Sequence, residues 1–422
     1  MSITSVHYII EELTKKESGK IIAVLTRVFG PHNFELAEDV FQDVLIKALE
    51  SWQEKGVPDN PTAWLYRAAK NRAIDMLRKY RHEYTYGDDH NPLLDSEYTA
   101  NTVLEDYFKE HEIKDDQLRM IFACCHPDIA KEAQTAMVLK TISGFSIPQI
   151  AKAFITSKDT IEKRLYRARK AFRDGKVAFT IPTGDELIAR LENVLKTIYL
   201  IFNESYSSSY DDELIKESLA LDTIRLCTLI VEHPSTCRPE ARALLALCYF
   251  HTARMPGRIS ASGDLLLMSE QNRSLWNKDF IDAGIHQLTL AAEGSNISRY
   301  HVEAAIAYEH CKAETYDATD WRMILEYYNI LQQIEPSPII LLNRAVVLKE
   351  LEGAAKAIEV IKSIPGINYL DKYYLLHAIL GKLYSEIGSK IDAIKHFEKA
   401  LSLVVSTAER KLINKELKEL TS

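Results

Sequence analysis

The chain has 422 residues, of which 46% are hydrophobic and 27% are charged, a composition typical of a soluble globular protein with more than one domain. Averaged over the whole chain, the net charge of −8 argues against a nucleic-acid partner. The sequence shows neither a secretory leader nor an apolar run of membrane-spanning length, so we expect a cytoplasmic protein without a membrane partner. The six cysteines are scattered, as buried thiols in a reducing compartment are.

Charge is unevenly distributed along the N-terminal part of the chain. Residues 117–180 contain 12 lysines and arginines against 5 acidic residues, whereas residues 83–116 contain 11 acidic residues against 2 basic ones. A basic segment therefore follows an acidic one, and the whole-chain average hides both.

Apolar residues at helical spacing predict three helices near the N-terminus, over residues 7–29, 34–52 and 62–81. The second helix has a polar face that is either solvated or a docking surface for a partner. The third places aromatic residues beside arginines and lysines, which suits single-stranded nucleic acid because bases stack on rings while phosphates meet cations. Its Trp64 also lies on an apolar stripe with Ala69, and this favours a position in the core.

Residues 84–113 have little apolar periodicity and are predicted to form an acidic, partly disordered linker. A helical segment follows over residues 115–142. Its adjacent Cys124, Cys125 and His126 point in different directions on a helix and lack a second ligand pair, so we expect no metal.

Residues 146–176 have the pattern of two short helices joined by a tight turn, with Thr156 or Ser157 capping the second helix. One side of that second helix is apolar, with Ile161, Leu165, Ala168 and Phe172. The other side carries Lys158, Lys163, Arg164, Arg167, Arg169, Lys170 and Arg173. A helix with an apolar back and a cationic front fits a DNA major groove, although a solvated basic helix has the same pattern.

Residues 185–422 are predicted to be helical throughout. Two repeats 36 residues apart place Ala345, Leu348, Ala357 and Ile361 at the spacing of Gly381, Tyr384, Ala393 and Phe397. This pattern resembles the tetratricopeptide repeat, and an irregular all-α bundle is the alternative. A loop after residue 253 brings further charged and aromatic residues that we expect to line a groove: Arg254, Arg258, Glu270, Arg273 and Trp276.

Three N-terminal segments, in this order, resemble bacterial RNA polymerase sigma factors of the extracytoplasmic-function (ECF) type, in the sigma-70 family. Residues 37–49 are similar to the polymerase-binding helix of region 2, residues 61–78 to its promoter-melting helix, and residues 149–173 to the helix-turn-helix of region 4. Two departures from the common pattern are typical of a subgroup with a long C-terminal helical extension: Ile155 in place of the usual turn glycine, and the Cys-Cys-His-Pro-Asp segment at residues 124–128. That resemblance continues through residues 198–204, 244–247, 320–321 and 342–346.

The resemblance implies an all-α protein with two small sigma helical domains joined by an acidic linker and followed by a tetratricopeptide-like domain. The expected boundaries are 1–83 for region 2, 84–113 for the linker, 114–180 for region 4 and 185–422 for the C-terminal domain. The linker is expected to run through the cationic RNA channel of the polymerase, its carboxylates lying where RNA phosphates will later sit.

Site residues follow from the same resemblance. The residues expected to bind core RNA polymerase are Asp39, Gln42, Asp43 and Lys47. Those expected to recognise and open the −10 region are Arg67, Lys70, Asn71, Asp75 and Arg78, together with the loop at residues 58–61. Those expected to contact the −35 duplex are Thr160, Lys163, Arg164 and Arg167.

The implied function is promoter-specific transcription initiation, without enzymatic activity and without a cofactor. Its partners are core RNA polymerase, promoter DNA and a regulatory protein that binds the C-terminal domain, unless this domain acts in cis. Two other classes remain open: a stand-alone helix-turn-helix regulator, and a tetratricopeptide scaffold. The region 2 helices count against both, since neither needs them.

Overall fold

The structure, a computed structural model, describes residues 3–29, 33–83, 110–154, 156–173, 182, 185–206, 217–294 and 296–421. Within these ranges the regular secondary structure is helical, without strands, which confirms the all-α prediction. No helix in the described part is long and apolar enough to cross a membrane. Most of the predicted acidic linker, residues 84–109, lies outside the described residues, as does Ile155 at the predicted turn.

The chain divides into two compact units, residues 1–201 and 202–422. The first unit contains α1 (Ile3–Phe29), α2 (Phe34–Lys55), α3 (Pro61–Glu83), α4 (Glu110–Cys124), α5 (Lys131–Thr141), α6 (Ile147–Ala153) and α7 (Lys158–Arg173). Helix α8 (Asp185–Tyr206) begins in the first unit and ends just past its boundary.

Helices α1 to α3 form one apolar core. Most of the stripes predicted from helical spacing are buried, including Leu25 of α1, Phe41 of α2 and Leu65 of α3, whereas Tyr8 near the start of α1 is 66% exposed. Trp52 is buried, and the ring of Trp64 meets it edge-on at a centroid distance of 5.4 Å. Trp64 therefore packs against the core, which is the alternative that its position on the apolar stripe favoured.

Helix α1 also packs against α4 and α5, so it joins the two helical groups of the first unit. The approach is close at Gly19, where a Cβ atom would overlap the backbone carbonyl of Ile142 at the end of α5. A glycine is needed here because any side chain would push the two backbones apart.

Helix α8 is tied to α4 and α5 by buried polar side chains. Arg190 donates to the carbonyl oxygen of Phe122 at 3.0 Å, and Asn193 donates to the side-chain oxygen of Gln134 at 2.7 Å. Residues 185–201 of α8 therefore belong to the first compact unit, and the expected domain boundary at residue 185 stays a prediction.

The second unit consists of successive helices, each packed on its neighbours in the chain. They are α9 (Glu217–Glu232), α10 (Pro239–Ala253), α11 (Lys278–Ala291), α12 (Arg299–Lys312), α13 (Trp321–Ile334), α14 (Pro338–Glu352), α15 (Ala354–Ser363), α16 (Tyr374–Glu386), α17 (Lys390–Leu403) and α18 (Thr407–Thr421). Short 3₁₀ turns fill part of the stretch between α10 and α11.

The 36-residue pattern corresponds to two helix pairs, α14 with α15 and α16 with α17. All eight residues of the pattern are buried. At Gly381 of α16 a Cβ atom would lie 2.8 Å from the ring of Phe397 on α17, so the small residue permits close packing of this pair. The pairwise packing agrees with a helical repeat, and its assignment to the tetratricopeptide type stays a prediction.

We expect Gly381→Ala to destabilise the second unit. The added methyl overlaps the buried Phe397 ring, and overpacking of this kind costs about 1–3 kcal/mol, which exceeds the roughly 1 kcal/mol that alanine gains in helix propensity. Urea unfolding of Gly381→Ala, Phe397→Leu and the double variant measures the coupling. The smaller leucine should reduce the cost of the alanine, and a neutral or stabilising Gly381→Ala variant would show that the helices are not in close contact.

Candidate nucleic-acid interface

Helices α6 and α7 are set by local capping interactions and by a shared apolar core. Ser146 caps α6: its backbone N–H donates to the side-chain oxygen of Gln149 at 2.8 Å, and its hydroxyl accepts from the Gln149 backbone. Ser157 caps α7, accepting from the backbone N–H of Thr160 at 3.3 Å, so it fills the role predicted for Thr156 or Ser157. The four residues of the predicted apolar stripe of α7 are buried.

Burial of that stripe turns a cationic surface of α7 outward. Lys163, Arg167 and Lys170 are exposed, and the side chain of Tyr166 beside them is 61% exposed. Thr160 is partly buried, its hydroxyl 2.8 Å from that of Ser157. Cations around an exposed aromatic ring form a surface suited to a phosphate backbone and base edges.

Arg164 differs from the other predicted DNA-contacting residues. It is partly buried, with its guanidinium carbon 5.3 Å from the centre of the Phe154 ring. Its Nη1 is buried and has no hydrogen-bond partner in the described part of the chain. The side chain therefore supports the packing of α6 on α7, and only its remaining edge faces outward.

Arg169 is held by the first helical group of the same unit. It donates to both carboxylate oxygens of Glu38 on α2, at 2.9 and 3.0 Å, and both side chains are partly buried. Burial raises the pKa of Glu38, and the Arg169 guanidinium opposes this shift. The pair joins the basic helix α7 to the acidic helix α2 in this conformation.

Helix α2 presents a polar stripe beside that pair. Asp39, Gln42, Asp43 and Lys47, the residues expected to bind the polymerase, are all exposed on one side of the helix. Ile46, between them, is 55% exposed. An apolar side chain among exposed polar ones is typical of a docking surface, although a solvated helix face can also contain one.

Helix α3 presents part of the predicted −10 set. Arg67, Asn71 and Asp75 are exposed and Lys70 is partly buried, whereas the side chain of Arg78 lies outside the described residues. Arg72, on an adjoining face, donates to Asp43 of α2 at 2.7 Å. The two predicted contact surfaces, on α2 and α3, therefore adjoin.

The adjacent cysteines at the C-terminal end of α4 are in the core. Cys124 and Cys125 are fully buried, and burial raises the pKa of Cys125 to about 12, so its thiol stays protonated at neutral pH. Among the described residues no group of three His, Cys, Asp or Glu side chains could hold a metal ion.

Sequence reasoning missed two pairs, Glu38 with Arg169 and Asp43 with Arg72. Both join residues far apart in the chain, so no local spacing marks them. The available signal was the acidic character of α2 compared with the basic character of α3 and α7, which favours contact without specifying partners.

Two family models match the first unit. The model described as sigma-70 region 2 matches residues 13–83, and the model described as sigma-70 region 4 matches residues 119–172. A third model, of a family of unknown function, matches residues 190–292.

Three relatives differ in how much of this chain they cover. An uncharacterized protein of Rhizobium meliloti is 31% identical over 402 residues, spanning 95% of this chain and 93% of its own length. The ECF RNA polymerase sigma factor SigW of Bacillus subtilis is 28% identical, over 36% of this chain and 81% of its own. The ECF RNA polymerase sigma-E factor of Haemophilus influenzae is 27% identical, over 37% of this chain and 82% of its own length.

The chain belongs to the extracytoplasmic-function family of sigma-70 factors and carries a long helical C-terminal extension. The family assignment made from its motifs is thereby confirmed.

We predict that Glu38 and Arg169 are energetically coupled. The pair is bidentate and partly buried, so its coupling free energy should be about 1 kcal/mol, at the upper end for ion pairs near a surface. Chemical unfolding of Glu38→Ala, Arg169→Ala and the double variant measures it. The exposed Lys131–Glu192 pair is the matched control and should show weaker coupling. Strictly additive effects of the Glu38 and Arg169 substitutions would contradict the contact.

Proposed function

We propose that this protein binds core RNA polymerase and directs it to specific promoters. One observation carries the proposal: matches to sigma-70 regions 2 and 4 lie on two helical groups that expose an acidic stripe on α2 and cations on α3 and α7. A sigma factor is an initiation factor without catalytic chemistry of its own, so these surfaces account for the role by binding alone.

The proposed division of labour follows the exposed surfaces. Helix α2, through Asp39, Gln42, Asp43 and Lys47, docks on the polymerase. Helix α3 recognises and opens the −10 region, holding unpaired bases whose hydrogen-bonding edges have become accessible. Helix α7 contacts the −35 duplex, mainly through Lys163 and Arg167, because Arg164 and Thr160 are engaged with neighbouring side chains.

Run-off transcription with purified core polymerase on genomic DNA fragments tests the proposal. A sigma factor gives discrete transcripts only when core enzyme and this protein are both present. Tight promoter binding without polymerase, and no transcripts with it, would favour a stand-alone regulator. The absence of both activities would favour a protein-interaction scaffold.

Arg167→Ala should weaken use of the −35 element. A lost base or phosphate contact costs about 1–3 kcal/mol, so transcript yield at limiting holoenzyme should fall roughly tenfold or more. Binding to core polymerase should stay unchanged, because that surface is assigned to α2. Lys131→Ala removes the same charge elsewhere on the first unit and serves as the control. An equal loss on promoters with an intact and a scrambled −35 element would contradict the assignment.

We further propose that the second unit regulates the first, in cis or through a protein partner. The covalent connection through α8 and the full-length match to a relative of the same size support a linked function. In this proposal the extension acts where other sigma factors use a separate regulator.

Truncation after residue 206 tests this regulation. The 1–206 variant keeps the bonds that Arg190 and Asn193 make to α4 and α5, whereas a 1–184 variant loses them and should be less stable. Promoter output of the 1–206 variant should differ several-fold from that of the full chain, in either direction. If the 1–206 variant is folded, binds core polymerase and gives unaltered output, the second unit does not regulate transcription.

A further inference from the structure

The stretch between α10 and α11 brings two arginines onto one tryptophan. The guanidinium carbons of Arg254 and Arg273 lie 5.3 and 4.9 Å from the centre of the Trp276 ring. Arg254 and Trp276 are both buried, with 3% and 4% of their surface exposed. Gly257 makes room for the indole, because a Cβ atom there would lie 2.6 Å from the indole nitrogen.

The two arginines differ in how their hydrogen-bonding capacity is met. Arg273 donates to the carbonyl oxygens of His310 and Ala313 at 2.8 and 2.6 Å, and to the hydroxyl of Thr319 at 3.2 Å. Arg254 has no side-chain hydrogen bond or ion pair within the described part of the chain. Its Nε is buried, whereas its two terminal nitrogens are not and keep contact with solvent. A largely buried cation without a counter-charge is costly, so a negatively charged partner at that accessible edge would stabilise it.

Three neutral groups near Arg254 are also unsatisfied. The indole nitrogen of Trp276 and the Nδ1 atoms of His251 and His310 are buried and have no hydrogen-bond partner among the described residues. Burial, reinforced by Arg254, lowers the pKa of His310 to about 3 and that of His251 well below its usual range. Both rings are therefore neutral at physiological pH, and each can present an N–H from Nδ1.

Among the residues that the structure describes, the other charges around the cluster do not neutralise Arg254. Arg258 lies over the ring of Tyr206, with its guanidinium carbon 3.7 Å from the centre, and donates to the Tyr206 carbonyl. Glu409 acts electrostatically on Arg258, whereas no carboxylate is among the groups that perturb Arg273, His251 or His310. Excess positive charge and unused donors are thus concentrated at Arg254.

We propose that the cluster of Arg254, Trp276, His251 and His310 is a binding site for a small oxyanion, the phosphate or carboxylate group of a low-molecular-weight ligand. An oxyanion supplies several acceptors and a negative charge at once, and the planar fork of an arginine matches its geometry. A water molecule supplies acceptors but no charge. The sequence placed Arg254, Arg273 and Trp276 at a groove, and the structure instead buries Arg254 and Trp276.

Binding to the full-length chain tests the site. Inorganic phosphate, sulfate, acetate and succinate are titrated by calorimetry and in thermal unfolding, with sodium chloride added to hold ionic strength constant. We expect saturable binding of either the phosphate-like probes or the carboxylate probes, with a rise in the midpoint temperature of unfolding. Whichever group of probes binds identifies the class of ligand. If no oxyanion has a saturable effect beyond chloride, the cluster is filled by water alone and the proposal is overturned.

Two substitutions locate the binding. Arg254→Met retains packing on Trp276 without the charge. It should lower the affinity for the probe that binds the natural chain about tenfold or more. Arg254→Lys keeps the charge but loses the fork and should bind with intermediate affinity, which keeps the test valid if the methionine variant unfolds. Arg322→Met, at an exposed position, is the control and should bind normally. Undiminished binding in a folded Arg254 variant would overturn the assignment. Because no transcription is measured, this outcome is independent of the proposed function.

Discussion

The first unit depends on the burial of α1. Between Ile21 and Phe29 every described side chain is buried, so this segment is apolar or enclosed on all sides rather than along one stripe. A helix of this kind is stable only when neighbours cover its whole circumference. The neighbours here are α2 and α3 on one side and α4 and α5 on the other, with Gly19 allowing the closest approach. These contacts position α2 and α3 directly, whereas α7 is positioned through α5, on which it packs.

Charge is divided between structural and exposed roles on these helices. Arg169 and Arg72 pair with carboxylates of α2, and Arg164 packs on a ring, so fewer cations face outward than the sequence contains. Lys163 and Arg167 remain on the outward surface of α7. In this conformation the helix proposed to contact the −35 duplex is also linked to the helix proposed to bind the polymerase. The Glu38–Arg169 pair is partly exposed and can open at a small energetic cost.

Local patterns predicted most of the helices and their buried stripes, although they ran α4 and α5 together as one segment. Ile161, Leu165, Ala168 and Phe172 are buried because a period of 3.6 residues leaves no other side of α7 for them. The same helical period predicted that Arg164 is exposed with the other cations of α7. Arg164 instead lies at the edge of the apolar stripe, next to Leu165, and packs on Phe154. The pairing of Arg169 with Glu38 spans 131 positions, and such a contact depends on tertiary packing that periodicity does not encode. The burial of Arg254 is unpredictable for the same reason, because its packing partner Trp276 lies in a different segment of the chain.

The central claim is that this chain opens promoters as a subunit of RNA polymerase. Permanganate footprinting of a promoter detects unpaired thymines directly and separates opening from mere binding. With core polymerase and the full chain, thymines near the −10 element should become reactive, and either component alone should leave them protected. Specific binding of the chain to duplex promoter DNA without polymerase, together with no reactive thymines when polymerase is added, would contradict the account.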